Sequence, residues 1–289
     1  MKILIIGNGF LGSAIFEELE AEGHEILIFA RTLRPRIQTQ QVLGDIFNFE
    51  EFAKILDWKP QVIVHTAWIT TPGIYRNDPS NTEYANFTAS LAKSVINSDI
   101  EHLIVLGTCA EYGRQEGPST AGLTTLSPAN LYSQQKVAAF NSIENLFQEA
   151  DTRLTWARIF YPFGPQQHEK RLIPHLTKSL KNDIPIRLAD VSSVYDWITT
   201  RDISSAISWM IDHKLPVEVD IGTTIGATNL ELLMTLEELL QTKHRVTKQQ
   251  GHEFGLGEFF VTGKGSPLFM SGWLPKDTLR SGLEWVLAE

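Results

Sequence analysis

The chain has 289 residues, 43% of them hydrophobic, and a formal net charge of −9 at pH 7. A chain of this length and composition forms one large α/β domain with a smaller lobe, or two modest domains, and is too apolar to stay disordered. The acidic balance argues against binding of nucleic acid through its phosphates, which requires a basic patch. The densest basic cluster, formed by Arg31, Arg34 and Arg36, suits a single phosphate group.

Cysteine content and apolar runs bear on the compartment. A single cysteine, Cys109, excludes an internal disulfide and is typical of a reducing compartment. No apolar run approaches the roughly 20 residues that a membrane helix needs, and the first run ends at Gly7, too early for a signal peptide. The eight histidines show no metal-ligand spacing. We therefore expect a cytoplasmic protein without a metal or a membrane partner.

Up to about residue 160, short apolar runs alternate with helical patterns. Nearly continuous Ile, Leu and Val runs are typical of a sheet covered on both faces, and strand–helix alternation predicts an α/β, doubly wound parallel sheet of the Rossmann type. The expected strands are Lys2–Ile6, Glu25–Phe29, Val62–His65, His102–Leu106 and Leu154–Arg158. The expected helices lie near 10–22, 48–57, 80–98 and 130–149.

Beyond Arg158 the pattern changes, because Pro162, Gly164 and Pro165 interrupt it. Helices are predicted near 170–181, 201–212, 229–241 and 276–287. A short apolar segment lies at 184–188, strands are predicted near 195–198 and 217–221, and no regular structure is predicted for 250–272.

A glycine motif, Gly7-Asn8-Gly9-Phe10-Leu11-Gly12, follows the first predicted strand and opens the first predicted helix. Glycines at these positions allow a tight turn and a close approach of the backbone to a pyrophosphate, which the helix N-terminus attracts. With the strand before and the helix after it, the motif predicts dinucleotide binding. We predict a dinucleotide-binding domain of residues 1–160, to which 191–222 return, and a smaller C-terminal substrate lobe of 161–190 and 223–289.

The end of the second strand bears on the choice of cofactor. An acidic residue there favours NAD, whereas a nearby arginine accommodates the phosphate of NADP. The sequence has Ala30 and Arg31 at this place, which favours NADP(H) and leaves NAD(H) possible. The alternative is that the arginines form a solvated loop. Asp45 either meets the adenine amino group or is an ordinary turn aspartate.

Tyr132 and Lys136 are four residues apart at the start of a predicted helix and therefore share one face. An ammonium group beside a phenol favours the phenolate, which allows proton exchange with an alcohol or a carbonyl near neutral pH. Thr108 follows the predicted strand His102–Leu106, at the carboxyl edge of the sheet where such folds bind ligands. Its hydroxyl suits a substrate carbonyl; the alternative is a turn threonine bonded to its own backbone.

The sequence resembles the extended short-chain dehydrogenase/reductase family of nucleotide-sugar enzymes over nearly its whole length. The motifs that carry the resemblance are IIGNGFLG at the start, GDI at 44–46, VIVHTA at 62–67, YAN at 84–86, LGTCAEYG at 106–113, YSQQK at 132–136, RIFYPFGP at 158–165, YDWITTRDI at 195–203 and SGWLP at 271–275.

The resemblance implies roles for individual positions. Thr108 would hold the reacting hydroxyl or carbonyl, Tyr132 would be the catalytic acid/base supported by Lys136, and the Pro162 backbone would meet the nicotinamide amide. The expected cofactor-binding residues are Gly7, Asn8, Gly9, Phe10, Leu11, Gly12, Arg31, Asp45, Ile46, Thr66, Ala67, Tyr132, Lys136 and Pro162. The expected substrate residues are Trp68, Tyr161, Arg171, Arg187 and Tyr195. A homodimer through the helices near 80–98 and 130–149 is also implied.

Two departures concern the diphosphate of the substrate. The family usually has asparagine at the place of Tyr161 and arginine at the place of Tyr195, so other groups must bind the diphosphate here. Arg171, Arg187 and Arg201 are candidates.

Three functions remain open from the sequence. The leading hypothesis is NADPH-dependent reduction of the keto group of a nucleotide-diphosphate 4-keto-6-deoxy sugar. The alternatives are a nucleotide-sugar 4-epimerase with tightly bound NAD and a non-catalytic dinucleotide-sensing relative. The presence of Tyr132 and Lys136 argues against the last.

The cofactor preference is testable at Arg31. We expect the native protein to bind NADPH more tightly than NADH. Replacement Arg31→Ala should raise the dissociation constant for NADPH about tenfold or more, as expected for a charge-assisted contact, and should barely change that for NADH. Fluorescence titration of both cofactors measures this, and equal affinity of the native protein for the two would contradict it.

Overall fold

The computed structural model describes residues 1–35, 37, 39–96, 98–186, 188, 191–242 and 258–289. Arg187, one of the predicted substrate residues, lies outside the described residues, as does Arg36.

The strands and helices follow the alternation that the sequence predicts. The strands are β1 Lys2–Ile6, β2 Glu25–Ala30, β3 Gln40–Leu43, β4 Val62–His65, β5 His102–Thr108, β6 Arg153–Ile159, β7 Tyr161–Phe163, β8 Val194–Tyr195, β9 Trp197–Thr199, β10 Glu218–Ile221, β11 Ala227–Thr228 and β12 Phe259–Phe260. The helices are α1 Phe10–Ala21, α2 Phe49–Ala53, α3 Asn81–Val95, α4 Leu131–Ile143, α5 Leu172–Lys181, α6 Thr200–Asp212, α7 Asn229–Leu239, α8 Pro267–Met270 and α9 Leu279–Ala288.

The main sheet has seven strands in the order β10-β6-β5-β4-β1-β2-β3, and all its pairs are parallel. The chain runs outward from β1 to β3, then crosses back to β4 and continues outward on the other side. This reversal between β1 and β4 opens a crevice at the carboxyl ends of the strands, where such sheets bind ligands. The prediction of a Rossmann-like, doubly wound sheet is confirmed.

Both faces of the sheet are buried, which explains the continuous apolar runs. Within β1, Ile3 and Ile5 pack with α1 and α6, whereas Leu4 and Ile6 pack with α3 and α4 on the opposite face. In the part of the chain that the structure describes, no large apolar side chain is exposed on α3 or α4. A homodimer through these two helices therefore stays a prediction.

The differences from the predicted elements have local causes. The predicted helix near 48–57 consists of α2 and a 3₁₀ turn, Lys54–Trp58, which ends because Lys59 has a left-handed backbone with φ of 55°. The run at β3 was missed because this edge strand is half-exposed and contains two glutamines. The single strand predicted near 195–198 is two short strands, β8 and β9.

The region after β6 forms a smaller layer over the carboxyl edge of the main sheet. Strand β7 pairs with β9, and β8 lies between β11 and β12. Residues of α5, α7 and α9 pack with these strands into a separate apolar cluster. Strand β10 returns to the main sheet beside β6, as expected for residues 191–222, while the exact division into domain and lobe remains a prediction.

A buried ion pair ties the end of β5 to β6. The Glu111 carboxylate accepts hydrogen bonds from the Thr108 amide at 2.8 Å, the Trp156 indole at 3.0 Å and the Arg158 Nε at 2.7 Å. Arg158 also reaches Glu218 on β10 through Nη1, at 2.6 Å. The side chains of Glu111 and Arg158 are both fully buried. The Glu111 charge thus depends on Arg158 for compensation, while Arg158 is shared between two carboxylates.

Removal of one charge should therefore be costly. We expect Arg158→Met to lower the free energy of unfolding by about 3–5 kcal/mol, because the Glu111 carboxylate stays buried without its counter-ion. The double variant Arg158→Met, Glu111→Gln should recover part of this loss, since no unpaired charge is left inside. Urea unfolding at constant m-value measures both, and a single variant as stable as the native protein would contradict the expectation.

Candidate active site

A cleft of about 1300 Å³ runs along the carboxyl edge of the main sheet, from the glycine loop to the smaller layer. Most of the residues predicted for the site line it. These are Gly7, Asn8, Gly9, Phe10, Leu11, Gly12, Arg31, Ile46, Thr66, Ala67, Trp68, Thr108, Tyr132, Lys136, Tyr161, Pro162, Arg171 and Tyr195. Asp45 is not among the lining residues: it is exposed, and its carboxylate accepts the Phe47 amide at 3.1 Å, as in an ordinary turn.

The glycine loop has the geometry that a pyrophosphate requires. Gly7 has a φ of +103°, and a Cβ at Gly12 would collide with the Gly7 carbonyl oxygen. A Cβ at Gly9 would meet no atom within 4 Å, so the space above this residue is open to a ligand. Helix α1 begins at Phe10, and its N-cap residue Gly9 provides no side-chain hydrogen bond, which leaves the first amides of the helix available. The loop therefore fits a dinucleotide.

Neighbouring side chains hold this loop in place. The Thr66 hydroxyl donates to the carbonyl oxygens of Ile6 at 3.0 Å and Gly7 at 3.1 Å. The Asn8 amide donates to the Thr32 carbonyl at 2.5 Å, which ties the loop to the segment after β2. The glycine loop and the segment that follows β2 are thus joined by a hydrogen bond.

Arg31 directly follows β2 and lines the cleft. Its Nη2 donates to the Tyr84 hydroxyl on α3 at 3.3 Å, and the residue itself is exposed. Ala30 precedes it at the end of β2, so no carboxylate stands at the place that would select NAD. The arginine is available to a phosphate.

Tyr132 and Thr108 meet at the centre of the cleft. Burial raises the pKa of the Tyr132 phenol, and a hydrogen bond with the Thr108 side chain opposes that rise. The Thr108 hydroxyl also accepts the Ala110 amide at 3.3 Å, so it caps its own turn as well. Both roles considered for this threonine from the sequence are compatible with the structure. The pair can hold a substrate oxygen and exchange a proton with it.

Lys136 is buried beside them, with an exposed fraction of 4%. Its Nζ donates to the Leu106 carbonyl at 2.5 Å and lies 3.6 Å from the centroid of the Trp68 ring. Burial lowers the pKa of this ammonium to about 7, while the Glu111 carboxylate opposes that shift. Burial thus favours the neutral amine of Lys136, and the Glu111 carboxylate favours its ammonium form.

Trp68 is held against the lysine by two contacts. Its indole donates to the Asn81 side chain at 2.7 Å, and its ring stacks on Tyr84 at 5.5 Å between centroids. Trp68 was predicted only as a substrate residue, and its contact with Lys136 was not predicted. The YAN motif contains Tyr84, on which Trp68 stacks, but the motif does not specify that Trp68 contacts Lys136.

Aromatic side chains form the wall of the cleft in the smaller layer. The Tyr161 ring lies 4.2 Å from that of Tyr195 and 5.5 Å from that of Trp197, and Phe260 stacks on Tyr195 at 6.3 Å. The Tyr195 hydroxyl donates to the Glu258 carboxylate at 3.2 Å. Trp197, Phe260 and Glu258 were not predicted as site residues, because the first two come from short strands without a clear pattern and Glu258 directly precedes β12.

The candidate arginines differ in their partners. Arg201 pairs with Asp277 at 2.7 Å and stacks on Trp285, with 4.1 Å to the ring centroid. Arg171 donates to the Thr70 carbonyl at 2.8 Å and lies 5.3 Å from the Tyr75 ring. Arg76, which the sequence analysis did not single out, also lines this end of the cleft. The Pro162 carbonyl accepts the Gln167 side chain at 2.8 Å.

Three further observations limit the chemistry. Within the described ranges, no group of three His, Cys, Asp or Glu residues is arranged to hold a metal ion. Cys109 is buried, and burial raises the pKa of its thiol, so it is no ready nucleophile. No helix in the part of the chain that is described has the length and apolar character to cross a bilayer.

Residues 3–222 match the model of the NAD dependent epimerase/dehydratase family. The chain therefore belongs to this family of NAD-dependent enzymes. The resemblance inferred from the motifs is confirmed.

Individual relatives cover almost the whole chain. A UDP-glucose 4-epimerase of Lactobacillus helveticus is 24% identical in an alignment that is 328 residues long, and this alignment covers 99% of this chain and 97% of that protein. The crystal structure of a Thermotoga maritima UDP-glucose 4-epimerase with UDP-glucose is similar with a TM-score of 0.88 at 19% identity, covering 100% of this chain and 98% of that one. A Bacillus anthracis dTDP-glucose 4,6-dehydratase in complex with NAD gives 0.82 at 23% identity, covering 100% and 97%. The structural likeness shows a shared fold.

The role of the Tyr132 hydroxyl can be isolated. We expect Tyr132→Phe to abolish turnover and to leave cofactor binding nearly intact, because only the proton-transfer group is removed and the ring is kept. Thr108→Val should lower the rate while the fold is retained. Steady-state kinetics and cofactor titration measure the two effects separately. If Tyr132→Phe kept most of the native activity, another group would be the acid.

The buried ammonium of Lys136 should make stability depend on pH. Burial lowers the pKa of Lys136 to about 7 in the folded protein, whereas the unfolded chain has the ordinary lysine value, so the free energy of unfolding should rise with pH between the two. We expect Lys136→Met to remove this part of the slope in cofactor-free protein, as measured by urea unfolding at several pH values. The control Lys178→Met, at an exposed lysine, should keep the slope. An unchanged slope in Lys136→Met would contradict burial as its cause.

Proposed function

We propose that this protein is an NADPH-dependent reductase that reduces the keto group of a nucleotide-diphosphate 4-keto-6-deoxy sugar. The observation that carries the proposal is the contact between Tyr132 and Thr108 beside the buried Lys136, in a cleft that continues to the glycine loop. Ala30 and Arg31 at the end of β2 support NADP(H) over NAD(H).

The residues of the cleft divide the work of such a reduction. The nicotinamide of the bound cofactor supplies the hydride. Thr108 hydrogen-bonds the carbonyl oxygen, and the Tyr132 hydroxyl gives the proton to that oxygen as it becomes an alcohol. The ammonium of Lys136 stabilises the phenolate that Tyr132 then carries, and protonation of the phenolate restores the starting state. Since Lys136 is shielded by Trp68, the charge acts in a dry environment, where it is most effective.

Loss of water from the sugar is not part of the proposal. Members of the family that dehydrate a sugar have Asp-Glu directly after the threonine, and this chain has Cys109 and Ala110 there. The next residue, Glu111, is held by Arg158 and Trp156 inside the sheet, so its carboxylate does not replace the missing pair. The chain also has Ala110 and Arg171 at the places where members that epimerise C3 and C5 carry a cysteine and a histidine.

A 4-epimerase with tightly bound NAD is the second candidate. It is favoured by the likeness along nearly the full length to proteins described as UDP-glucose 4-epimerases. It uses the same threonine, tyrosine and lysine but recycles its hydride. The absence of an acidic side chain at Ala30 speaks for the reductase.

The cofactor that the purified protein carries separates the two. Denaturation should release no stoichiometric NAD, and the protein should oxidise added NADPH with one of a panel of 4-keto-6-deoxy sugar nucleotides. Stoichiometric release of NAD together with interconversion of UDP-glucose and UDP-galactose would instead establish the epimerase. In heavy water, the reductase product should carry no solvent deuterium on its ring carbons above the uncatalysed background. Deuterium there would show enolisation and contradict simple reduction.

A further inference from the structure

Two arginines flank Tyr75 at the substrate end of the cleft. Arg76 follows it in the 3₁₀ turn Tyr75–Asn77, and a hydrogen bond with the Tyr75 side chain raises the pKa of its guanidinium. Arg171 precedes α5, and its guanidinium lies 5.3 Å from the centroid of the Tyr75 ring. That ring contacts Tyr132 edge-on at 5.0 Å. Both positive charges therefore lie one side chain away from the catalytic tyrosine.

Neither guanidinium is paired with a carboxylate. Among the residues that the structure describes, Arg158, Arg201 and Arg280 form ion pairs, whereas Arg76 and Arg171 form none within 4.0 Å. Two cations that lack a carboxylate within 4.0 Å, share one tyrosine and line a ligand cleft suit an anion with several oxygen atoms, because a guanidinium presents a planar fork of donors.

The aromatic wall of the cleft is less favourable for an anion. It presents the Tyr161 ring next to Tyr195, whose hydroxyl donates to the Glu258 carboxylate at 3.2 Å. Glu258 itself lines the cleft. Glu258 and Tyr161 contribute to the raised pKa of the Arg76 guanidinium, so Arg76 lies within electrostatic range of this wall. A diphosphate placed between Arg76 and Arg171 would have two cations beside it, whereas one placed at Tyr195 would have a carboxylate beside it.

We infer that Arg76 and Arg171 bind the diphosphate of the substrate, on the side of the cleft formed by the 70–77 segment and the start of α5. The inference rests on the proposed function in taking a sugar diphosphate as the substrate. It moves the diphosphate away from Tyr161 and Tyr195 and leaves the aromatic wall to an uncharged part of the same molecule. The contact of Tyr75 with Tyr132 then sets the distance between the diphosphate and the reacting carbon.

Calorimetric titration tests the site without requiring turnover. The protein is first saturated with NADP⁺ or, if it binds that better, NAD⁺, so that the glycine loop is occupied. UDP, dTDP, GDP and inorganic pyrophosphate are then titrated separately. We expect at least one nucleoside diphosphate to bind the native protein. Arg76→Gln and Arg171→Gln should each weaken it about tenfold or more, as for the loss of a charge-assisted contact.

A matched control removes an equal charge elsewhere on α5. Lys178 is exposed and pairs with Glu169 at 3.5 Å, so Lys178→Gln should change the affinity by less than about twofold. All three variants should keep the native melting temperature and the native affinity for the dinucleotide. The weakening at Arg76 and Arg171 should also diminish at high salt, because both guanidiniums are open to solvent ions.

The outcomes separate the inference from the proposed function. If the double variant Arg76→Gln, Arg171→Gln bound the nucleoside diphosphate as the native protein does, or if the native protein bound none of the three, the inference would be wrong. If the native protein turned over a 4-keto sugar nucleotide and the variants kept the native KM, the proposed reductase activity would be supported and the diphosphate site would be contradicted. If the variants lost binding while the native protein reduced no keto sugar, the diphosphate site would be supported and the reductase activity would be contradicted.

Discussion

The buried ion pair between Glu111 and Arg158 is the interaction on which the rest of the site depends. The Glu111 carboxylate lies inside the sheet and accepts the Thr108 amide, so the threonine has a defined position at the end of β5. It is compensated by Arg158 on β6, which in turn reaches Glu218 on β10, so the turn after β5 is joined to these two strands. Its negative charge also acts on Lys136, where it opposes the loss of the ammonium proton that burial favours. One buried acid thereby influences both Thr108 and Lys136, two of the three residues to which the proposed mechanism assigns the chemistry.

The two ends of the cleft offer different kinds of groups to a ligand. At the glycine loop the groups offered to a ligand are backbone amides and the open space above Gly9, which suit the pyrophosphate of a dinucleotide. At the other end the groups are the side chains of two arginines on one wall and a cluster of aromatic rings on the other. The first arrangement is part of the dinucleotide-binding fold itself. The second is made of side chains on short strands and turns, where a chain can change its substrate without changing its architecture.

Relatives of this chain include epimerases and a dehydratase, and the catalytic trio by itself does not distinguish these reactions. The distinction depends on what surrounds the trio. Here Cys109 and Ala110 supply no extra acid or base, and Glu111 is committed to Arg158. Ala30 leaves the adenosine end without a carboxylate. The proposal of simple hydride transfer with a phosphorylated dinucleotide rests on these side chains and not on the fold.

The sequence by itself determined the sheet, the glycine loop and the meeting of Thr108, Tyr132 and Lys136. Each rests on a local rule: apolar runs make buried strands, glycines permit a tight turn, and a spacing of four places two side chains on one helix face. Only the tertiary structure decided that Trp68 covers Lys136, that Glu111 pairs with Arg158, that Asp45 accepts the Phe47 amide and that Arg76 and Arg171 share Tyr75. These partners lie far apart in the chain or bond within their own turn. No local periodicity specifies them, because their contacts arise from packing between elements once the sheet has formed.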